Sequence, residues 1–106
     1  MAQYIIIYLG GDQPESAEAG KKHFAQYQQW LLSLGDSVIS PMNPIKNTQT
    51  VNPDTSISSQ SKTLMSGYTI IEAESMDVAL SIAKFCPFLK LNGSLEVSQL
   101  IEMTAK

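Results

Sequence analysis

Residues 67–100, GYTIIEAESMDVALSIAKFCPFLKLNGSLEVSQL, decide the fold of this chain. Aromatic and β-branched residues alternate along Tyr68–Ala73, a pattern that predicts a strand. Ser75 can then accept a hydrogen bond from the free amides of a following helix. That helix is predicted over Met76–Phe85, with one buried apolar stripe at helical spacing that comprises Met76, Ala79, Leu80 and Ala83.

The end of the same stretch returns the chain to the sheet. Pro87 ends the helix because proline lacks an amide hydrogen and crowds the preceding turn. Asn92 and Gly93 supply a tight turn, and residues 94–99 alternate as a second strand. Residues 67–100 are therefore predicted to form a β-α-β unit.

The first forty residues have the same order of elements. Residues 3–9 form an apolar run with isoleucine, leucine or tyrosine on both faces of a predicted strand, which indicates that both faces are covered. A helix is predicted from Pro14 to about Leu34, followed by Gly35 as its end and a short strand over Ser37–Ser40. Its predicted buried stripe comprises Ala17, Gly20, Phe24, Tyr27, Leu31 and Leu34.

Between the two units, residues 45–63 are rich in serine, threonine, asparagine and glutamine. They fit either a disordered loop or a hairpin of residues 48–51 and 55–58 around the turn 52–54, and we favour a hairpin or arm. Two β-α-β units joined in this way predict a single domain over residues 1–106. Its class is α+β, a ferredoxin-like βαββαβ fold with an antiparallel sheet.

Composition excludes several functions. The net charge is −3 with seven lysines and no arginine, which argues against nucleic acid as a partner. One cysteine, Cys86, and one histidine leave no disulfide and no metal-ligand cluster, so neither a metal nor a cofactor is predicted. Gly10-Gly11 has no later lysine at phosphate-loop spacing. No membrane span or leader is recognisable, and we predict a cytoplasmic protein.

Four short motifs within residues 67–100 resemble motifs of a known protein family. The Gly-Tyr strand at residue 67, the Ser-x-Asp-x-Ala helix start at residue 75, Cys86-Pro87, and Gly-x-Leu-Glu-Val at residue 93 occur in this order. They resemble the C-terminal half of the YCII-related family, in particular its DGPF-type branch. The resemblance implies a dimeric α+β barrel, and hence a homodimer, with a sigma-factor-linked regulatory context for some members.

The resemblance also implies an acid-base pair, a histidine on the first helix with an aspartate near the end of that helix. His23 matches the histidine, but Ser33 occupies the aspartate position and Asp36 lies beyond Gly35. The Asp-Gly-Pro-Phe signature is replaced by Thr-Ser-Ile-Ser at residues 55–58. This chain therefore resembles a divergent member of the branch.

His23 is the candidate catalytic residue, because histidine alone has an unperturbed pKa near neutrality. The alternative is a boundary histidine beside the helix's apolar stripe. A possible pocket lined by large side chains with polar tips comprises Tyr4, Tyr8, Trp30 and Tyr68. Core and dimer packing is the alternative for those four. Cys86 is interpreted as a packing residue rather than a nucleophile.

Two functions remain open at this point. The first is a homodimeric barrel with a small-molecule pocket near His23, acting as a cofactor-free enzyme or a sensor. The second is a non-catalytic regulatory or interaction module, which the missing aspartate and the polar segment 45–63 favour. Whether His23 faces a closed cavity or bulk water discriminates between them. The sequence names no substrate or partner protein, and it leaves open whether catalysis occurs.

Overall fold

The computed structural model describes residues 1–103, so the last residues of the predicted domain lie outside the described part. In chain order the elements are β1 (Ala2–Gly10), α1 (Ala17–Leu34), β2 (Val38–Pro44), β3 (Thr50–Val51), β4 (Ile57–Ser58), β5 (Met65–Ala73), α2 (Met76–Ala83) and β6 (Gly93–Gln99). Short 3-10 turns follow each helix, at Gly35–Ser37 and Pro87–Leu91.

Four strands form one antiparallel sheet in the order β2-β5-β1-β6. The central strand β1 pairs on both sides, so that Ile6 lies opposite Thr69 of β5 and Val97 of β6. This order and direction are those of a ferredoxin-like sheet built from two β-α-β units. The predicted α+β, ferredoxin-like class is confirmed.

The core lies between the sheet and the two helices. On β1 the buried side chains are Tyr4, Ile6 and Tyr8, which are at most 7% exposed. The small residues Ala79 and Ala83 of α2 are also buried and belong to the same cluster. Their size allows the helix to lie close to the sheet, and α1 fills the remaining space with larger rings.

Helix capping explains where each helix begins. Ser75 caps α2 as predicted, because its Oγ accepts from the amide of Val78 at 3.2 Å. The predicted start of the first helix at Pro14 was wrong. Ser16 is the cap, with its Oγ 3.1 Å from the amide nitrogen of Ala19, and the helix begins at Ala17. The second helix ends at Ala83 rather than Phe85.

Each helix exposes part of its predicted stripe. Phe24 is 48% exposed and Leu80 is 42% exposed, although both were predicted to be buried. The residues of α1 that are buried are Tyr27 and Trp30, and His23 is half-buried on the same side. The error arises because Phe24 and His23 are adjacent, and periodicity alone cannot decide which of two neighbouring rows of a helix faces inward.

Strand β2 is longer than predicted and irregular. It pairs with β5 over Val38–Pro44 with two register shifts, and it contains Pro41 and Pro44. Proline is tolerated here because β2 is an edge strand whose outer amides need no partner. Beyond it, β3 and β4 form an antiparallel hairpin in which Thr50 pairs with Ser58 and Val51 with Ile57.

The second face of the sheet is apolar at its centre, on β1 and β5, while β6 places Ser98 and Glu96 beside Ile5 and Ile7. Alternation places Ile5 and Ile7 of β1 on this face, opposite Ile70 and Tyr68 of β5. In residues 1–103 both helices pack on the other face, with the core cluster. None of the helices in residues 1–103 combines the length and hydropathy that a bilayer crossing requires.

Candidate functional site

A cavity of about 260 Å³ lies where the chain leaves β1 and turns towards α1. Its walls come from the loop after β1, the first half of α1, the end of β2, the start of β5 and the 3-10 turn at Pro87–Leu91. The lining residues are Tyr8, Gly10, Gly11, Asp12, Gln13, Pro14, His23, Phe24, Tyr27, Met42, Asn43, Pro44, Ser66, Gly67, Phe88 and Leu91.

His23 forms part of the cavity wall. It is half-buried on the inward side of α1, and its ring centroid lies 6.2 Å from that of Tyr27, which follows four residues later. Residues four apart lie one above the other on a helix, so the two rings present one continuous surface. The only histidine of the chain therefore borders a partly enclosed cavity.

Tyr8 is tied to the sheet through its hydroxyl. The Thr69 hydroxyl donates to the carbonyl oxygen of Pro41 at 2.5 Å, since a carbonyl can only accept. The Tyr8 hydroxyl, which bonds to Thr69 Oγ1, must then be the donor in that contact. Burial raises the pKa of Tyr8 above its ordinary range. Tyr8 is thus a neutral side chain that can only accept a hydrogen bond from a ligand.

Tyr27 has an unusual environment. The residue is 5% exposed, and its hydroxyl is buried without a hydrogen-bond partner among residues 1–103. Its ring makes edge-on contacts with Tyr8 at 5.8 Å and with Trp30 at 5.5 Å between centroids. A buried hydroxyl without a partner costs about 1–3 kcal/mol, and such groups are rare in folded proteins. The unpaired Tyr27 hydroxyl therefore lowers the free energy of unfolding.

Two glycines make room for the opposite wall. A Cβ on Gly93 would overlap the ring of Phe88, and a Cβ on Gly11 would lie 2.7 Å from its Cζ. Gly11 also has φ +91°, a conformation that residues with a side chain rarely adopt. Phe88 is held against Tyr8, with their centroids 5.2 Å apart. The position of the Phe88 ring in the cavity wall therefore depends on the absence of side chains at Gly11 and Gly93.

The loop after β1 is hydrogen-bonded to the end of the 3-10 turn that precedes β6. The amide of Asp12 donates to the carbonyl oxygen of Leu91 at 2.6 Å, and Asn92 Nδ2 donates to Asp12 Oδ2 at 2.6 Å. These two bonds hold the loop against the end of the turn that carries Phe88. They also hold the Asp12 carboxylate at the rim of the cavity.

The structure separates the four residues predicted to line a pocket. Tyr8 lines the cavity with His23. Tyr4 is buried in the core outside that lining, and Tyr68 pairs with Ile7 on the far face of the sheet. Trp30 lies between the helices, where its Nε1 donates to the carbonyl oxygen of Ile82 at 3.3 Å.

Sequence reasoning did not assign Tyr27 and Phe88 to the pocket. The spacing of Tyr27 from His23 was a usable signal for a shared helix face, but Tyr27 was interpreted only as a core residue. Phe88 carried no such signal, because its position depends on Gly11 and Gly93, which are distant from each other in sequence.

The positions related to the implied aspartate lie outside the cavity. Ser33 donates its hydroxyl to the carbonyl oxygen of Trp30 at 2.6 Å, and Asp36 is exposed in the 3-10 turn after α1. Neither residue lines the cavity that contains His23. Within the described residues, no three histidine, cysteine, aspartate or glutamate side chains are grouped as a metal site would require.

Comparisons with known proteins place the fold. Neither a protein-family model nor a curated protein matches the sequence. A solved structure with the same fold is the 5-chloro-2-hydroxyhydroquinone dehydrochlorinase of Burkholderia phenoliruptrix, in complex with 2,5-dihydroxybenzoquinone. The two chains are 21% identical, each is covered over 95% of its length, and the TM-score is 0.60. At this identity the likeness supports the α+β, ferredoxin-like fold.

The two cavity tyrosines provide a matched test of the hydrogen-bond assignments. Tyr8→Phe should lower the free energy of unfolding by about 1 kcal/mol, because it removes the donor to Thr69. Tyr27→Phe should leave it unchanged or raise it by up to about 1 kcal/mol, because a hydroxyl without a partner is removed. Urea unfolding of both variants measures the difference, and equal losses would contradict the assignments.

Cys86 is a core residue rather than an exposed thiol. It is 2% exposed, and burial raises the pKa of its thiol from 9.0 to about 11. The neutral thiol is a poor nucleophile, which supports its interpretation as a packing residue.

The raised pKa of Cys86 predicts a loss of stability in alkali. Between pH 9.0 and about 11 the unfolded chain releases this proton while the folded protein retains it. The free energy of unfolding should therefore fall as the pH rises through this range. Denaturant unfolding at a series of pH values checks this, with Cys86→Ala as the control. A fall of equal size in the variant would show that another group is responsible.

Proposed function

We propose that this chain is a cytoplasmic homodimer in which each protomer carries a small-molecule pocket around His23. We propose further that it acts as a cofactor-free enzyme on small ring compounds. The observation that supports this is the position of His23, the only histidine, in the wall of an aromatic cavity. A histidine facing bulk water would have favoured the alternative.

The cavity suits a ligand with a single ring. Its volume of about 260 Å³ is slightly below the roughly 300–1,000 Å³ of most ligand pockets. Flat aromatic walls at Tyr8, Tyr27 and Phe88 favour stacking or edge contacts with a planar molecule. The dehydrochlorinase with the same fold acts on a substituted hydroquinone and was solved with a benzoquinone bound. A ligand of that size class is consistent with both observations.

His23 would be the group that moves a proton. An imidazole can take a proton from a ring hydroxyl or return one to a ring carbon, and such general acid-base catalysis contributes about 10²–10⁴-fold. Tyr8 is unsuited to this task, because its proton is committed to Thr69. In the cavity lining only Asp12 has a carboxylate, and it lies at the rim. The proposed chemistry therefore rests on His23 alone.

The second face of the sheet supports the proposed homodimer. Ile5, Ile7, Ile70 and Tyr68 form an apolar group across two neighbouring strands. An antiparallel sheet with one solvated face would instead show polar residues at these positions. A domain of 106 residues buries a modest fraction of its surface alone. Packing two such faces together would form the barrel implied by the resemblance.

One observation favours the interaction module as the second candidate. The hairpin of β3 and β4 exposes Val51 at 70% and Ile57 at 68%, and the two residues pair directly across it. An isolated two-stranded hairpin is marginally stable in water, so an apolar pair at its tip suggests a surface that binds another protein. In that case the cavity would have no ligand.

A thermal-shift screen of small phenols and quinones tests the pocket. A ligand that raises the Tm of the wild-type protein should lose most of its effect in His23→Ala. Gln29→Ala is the matched control, because Gln29 is exposed on the same helix and lies outside the cavity lining. If no compound shifts the wild-type protein, or His23→Ala responds as the wild type does, the pocket proposal fails.

Light scattering tests the homodimer. The wild-type protein should have the mass of a dimer at micromolar concentration. Ile70→Lys should yield a folded monomer, because it places a charge in the apolar face. Leu80→Lys is the control on α2, where the side chain is 42% exposed, and it should remain dimeric. A monomeric wild-type protein would refute the proposed homodimer.

A further inference from the structure

The hydroxyl of Tyr27 is the one buried side-chain oxygen or nitrogen within residues 1–103 that lacks a hydrogen-bond partner. The polar atoms of its two buried ring neighbours are paired. The Tyr8 hydroxyl bonds to Thr69, and Trp30 Nε1 donates to the carbonyl oxygen of Ile82. Because buried polar groups are nearly always paired in folded proteins, this exception needs an explanation. A ligand that supplies the missing partner is one.

The position of Tyr27 supports this explanation. Its side chain forms part of the cavity wall, together with His23 one helical turn earlier. The two ring centroids are 6.2 Å apart. A ligand that lies against the His23 ring therefore also borders Tyr27.

Other donors in the cavity lining differ from Tyr27 in their exposure. The side-chain amide of Gln13 is exposed and His23 is half-buried, so water can pair with their N–H groups. A ligand that bonds to either one exchanges one hydrogen bond for another, and the net gain is small. The Tyr27 hydroxyl is enclosed without a protein partner. A ligand oxygen that accepts its proton therefore removes the cost of an unpaired polar group.

We infer that the Tyr27 hydroxyl donates a hydrogen bond to an oxygen of the ligand, and that this ligand is a planar ring compound with a carbonyl group. The inference rests on the proposed pocket, and it adds the residue that holds the ligand and the functional group that this residue recognises. A carbonyl oxygen has lone pairs and no proton. It therefore accepts from Tyr27 without bringing a donor that needs a further partner.

The proposed contact includes a side-chain movement. The hydroxyl is enclosed by the side chains around it. Two residues of α1 that also line the cavity are not fully buried, since Phe24 is 48% exposed and His23 is half-buried. Exposed side chains change rotamer within picoseconds to nanoseconds. The ligand oxygen reaches the hydroxyl when a side chain of this kind rotates, with no change in the backbone.

Tyr27→Phe separates this role from a structural one. The substitution keeps the ring and removes only the hydroxyl, and its expected effect on the free energy of unfolding is neutral or favourable. A hydroxyl that serves the fold would show the opposite pattern, with lower stability and unchanged ligand binding. Weaker binding by a variant at least as stable as the wild type therefore identifies a ligand contact.

Two compounds of nearly the same shape test the recognised group. Acetophenone has a carbonyl oxygen where α-methylstyrene has a CH₂ group. Each is titrated into the wild-type protein and into Tyr27→Phe, with NMR chemical shifts as the readout. The Kd for acetophenone should rise about fivefold in the variant, which corresponds to one hydrogen bond. The Kd for α-methylstyrene should change by less than about twofold, because it has no oxygen to accept the bond.

Tyr4→Phe is the matched control. Tyr4 is also a buried tyrosine, at 3% exposed, but it lies outside the cavity lining. Its loss of a hydroxyl should leave both Kd values unchanged. An effect on acetophenone as large as that of Tyr27→Phe would show that the change does not pass through a ligand contact, and it would overturn the inference.

The remaining outcomes separate this inference from the proposed function. Equal changes for the two compounds in Tyr27→Phe, or no change for acetophenone, would overturn the inference and leave the pocket intact. Failure of both compounds to bind the wild-type protein would also overturn the inference. The pocket itself fails only if the thermal-shift screen finds no ligand either.

Discussion

The hydrogen bonds that run from Tyr8 through Thr69 to the carbonyl of Pro41 connect three neighbouring strands within the buried face of the sheet. They fix the irregular edge strand β2 to the centre, although that strand contains two prolines and two register shifts. They also commit the Tyr8 proton, while burial keeps this side chain neutral in the cavity wall. The attachment of β2 to the sheet and the commitment of the Tyr8 proton in the cavity wall both depend on these hydrogen bonds.

The two faces of strand β1 have different environments. On one face of β1, Tyr4, Ile6 and Tyr8 build the core and end at the cavity. On the other face, Ile5 and Ile7 remain without a covering helix in residues 1–103. A small domain gains limited free energy from its own core, so an apolar second face represents stabilisation that association can still supply. The proposed dimer and the proposed pocket are therefore compatible, since they use opposite faces.

The candidate site was predictable only in part. His23 was predicted as a candidate because the chain has one histidine and because its type suits proton transfer, and the structure places it in the cavity wall. Tyr8 was predicted as a strand residue with a polar tip and lines the cavity, whereas Tyr4, Trp30 and Tyr68 were grouped with it by composition and lie outside that lining. Phe88 and Asp12 enter the site through a close approach to Gly11 and a bond to Asn92, and neither contact leaves a pattern in the sequence.

The sequence by itself determined the elements that depend on near neighbours. The Ser75 cap, the stop at Pro87, the left-handed Asn92 and the strand alternation each involve residues a few positions apart. Only the tertiary structure decided which row of α1 faces inward, how far β2 extends, and which donors in the cavity remain free. Those outcomes depend on partners such as Tyr8 and Thr69, which are 61 residues apart and meet only when the sheet is complete.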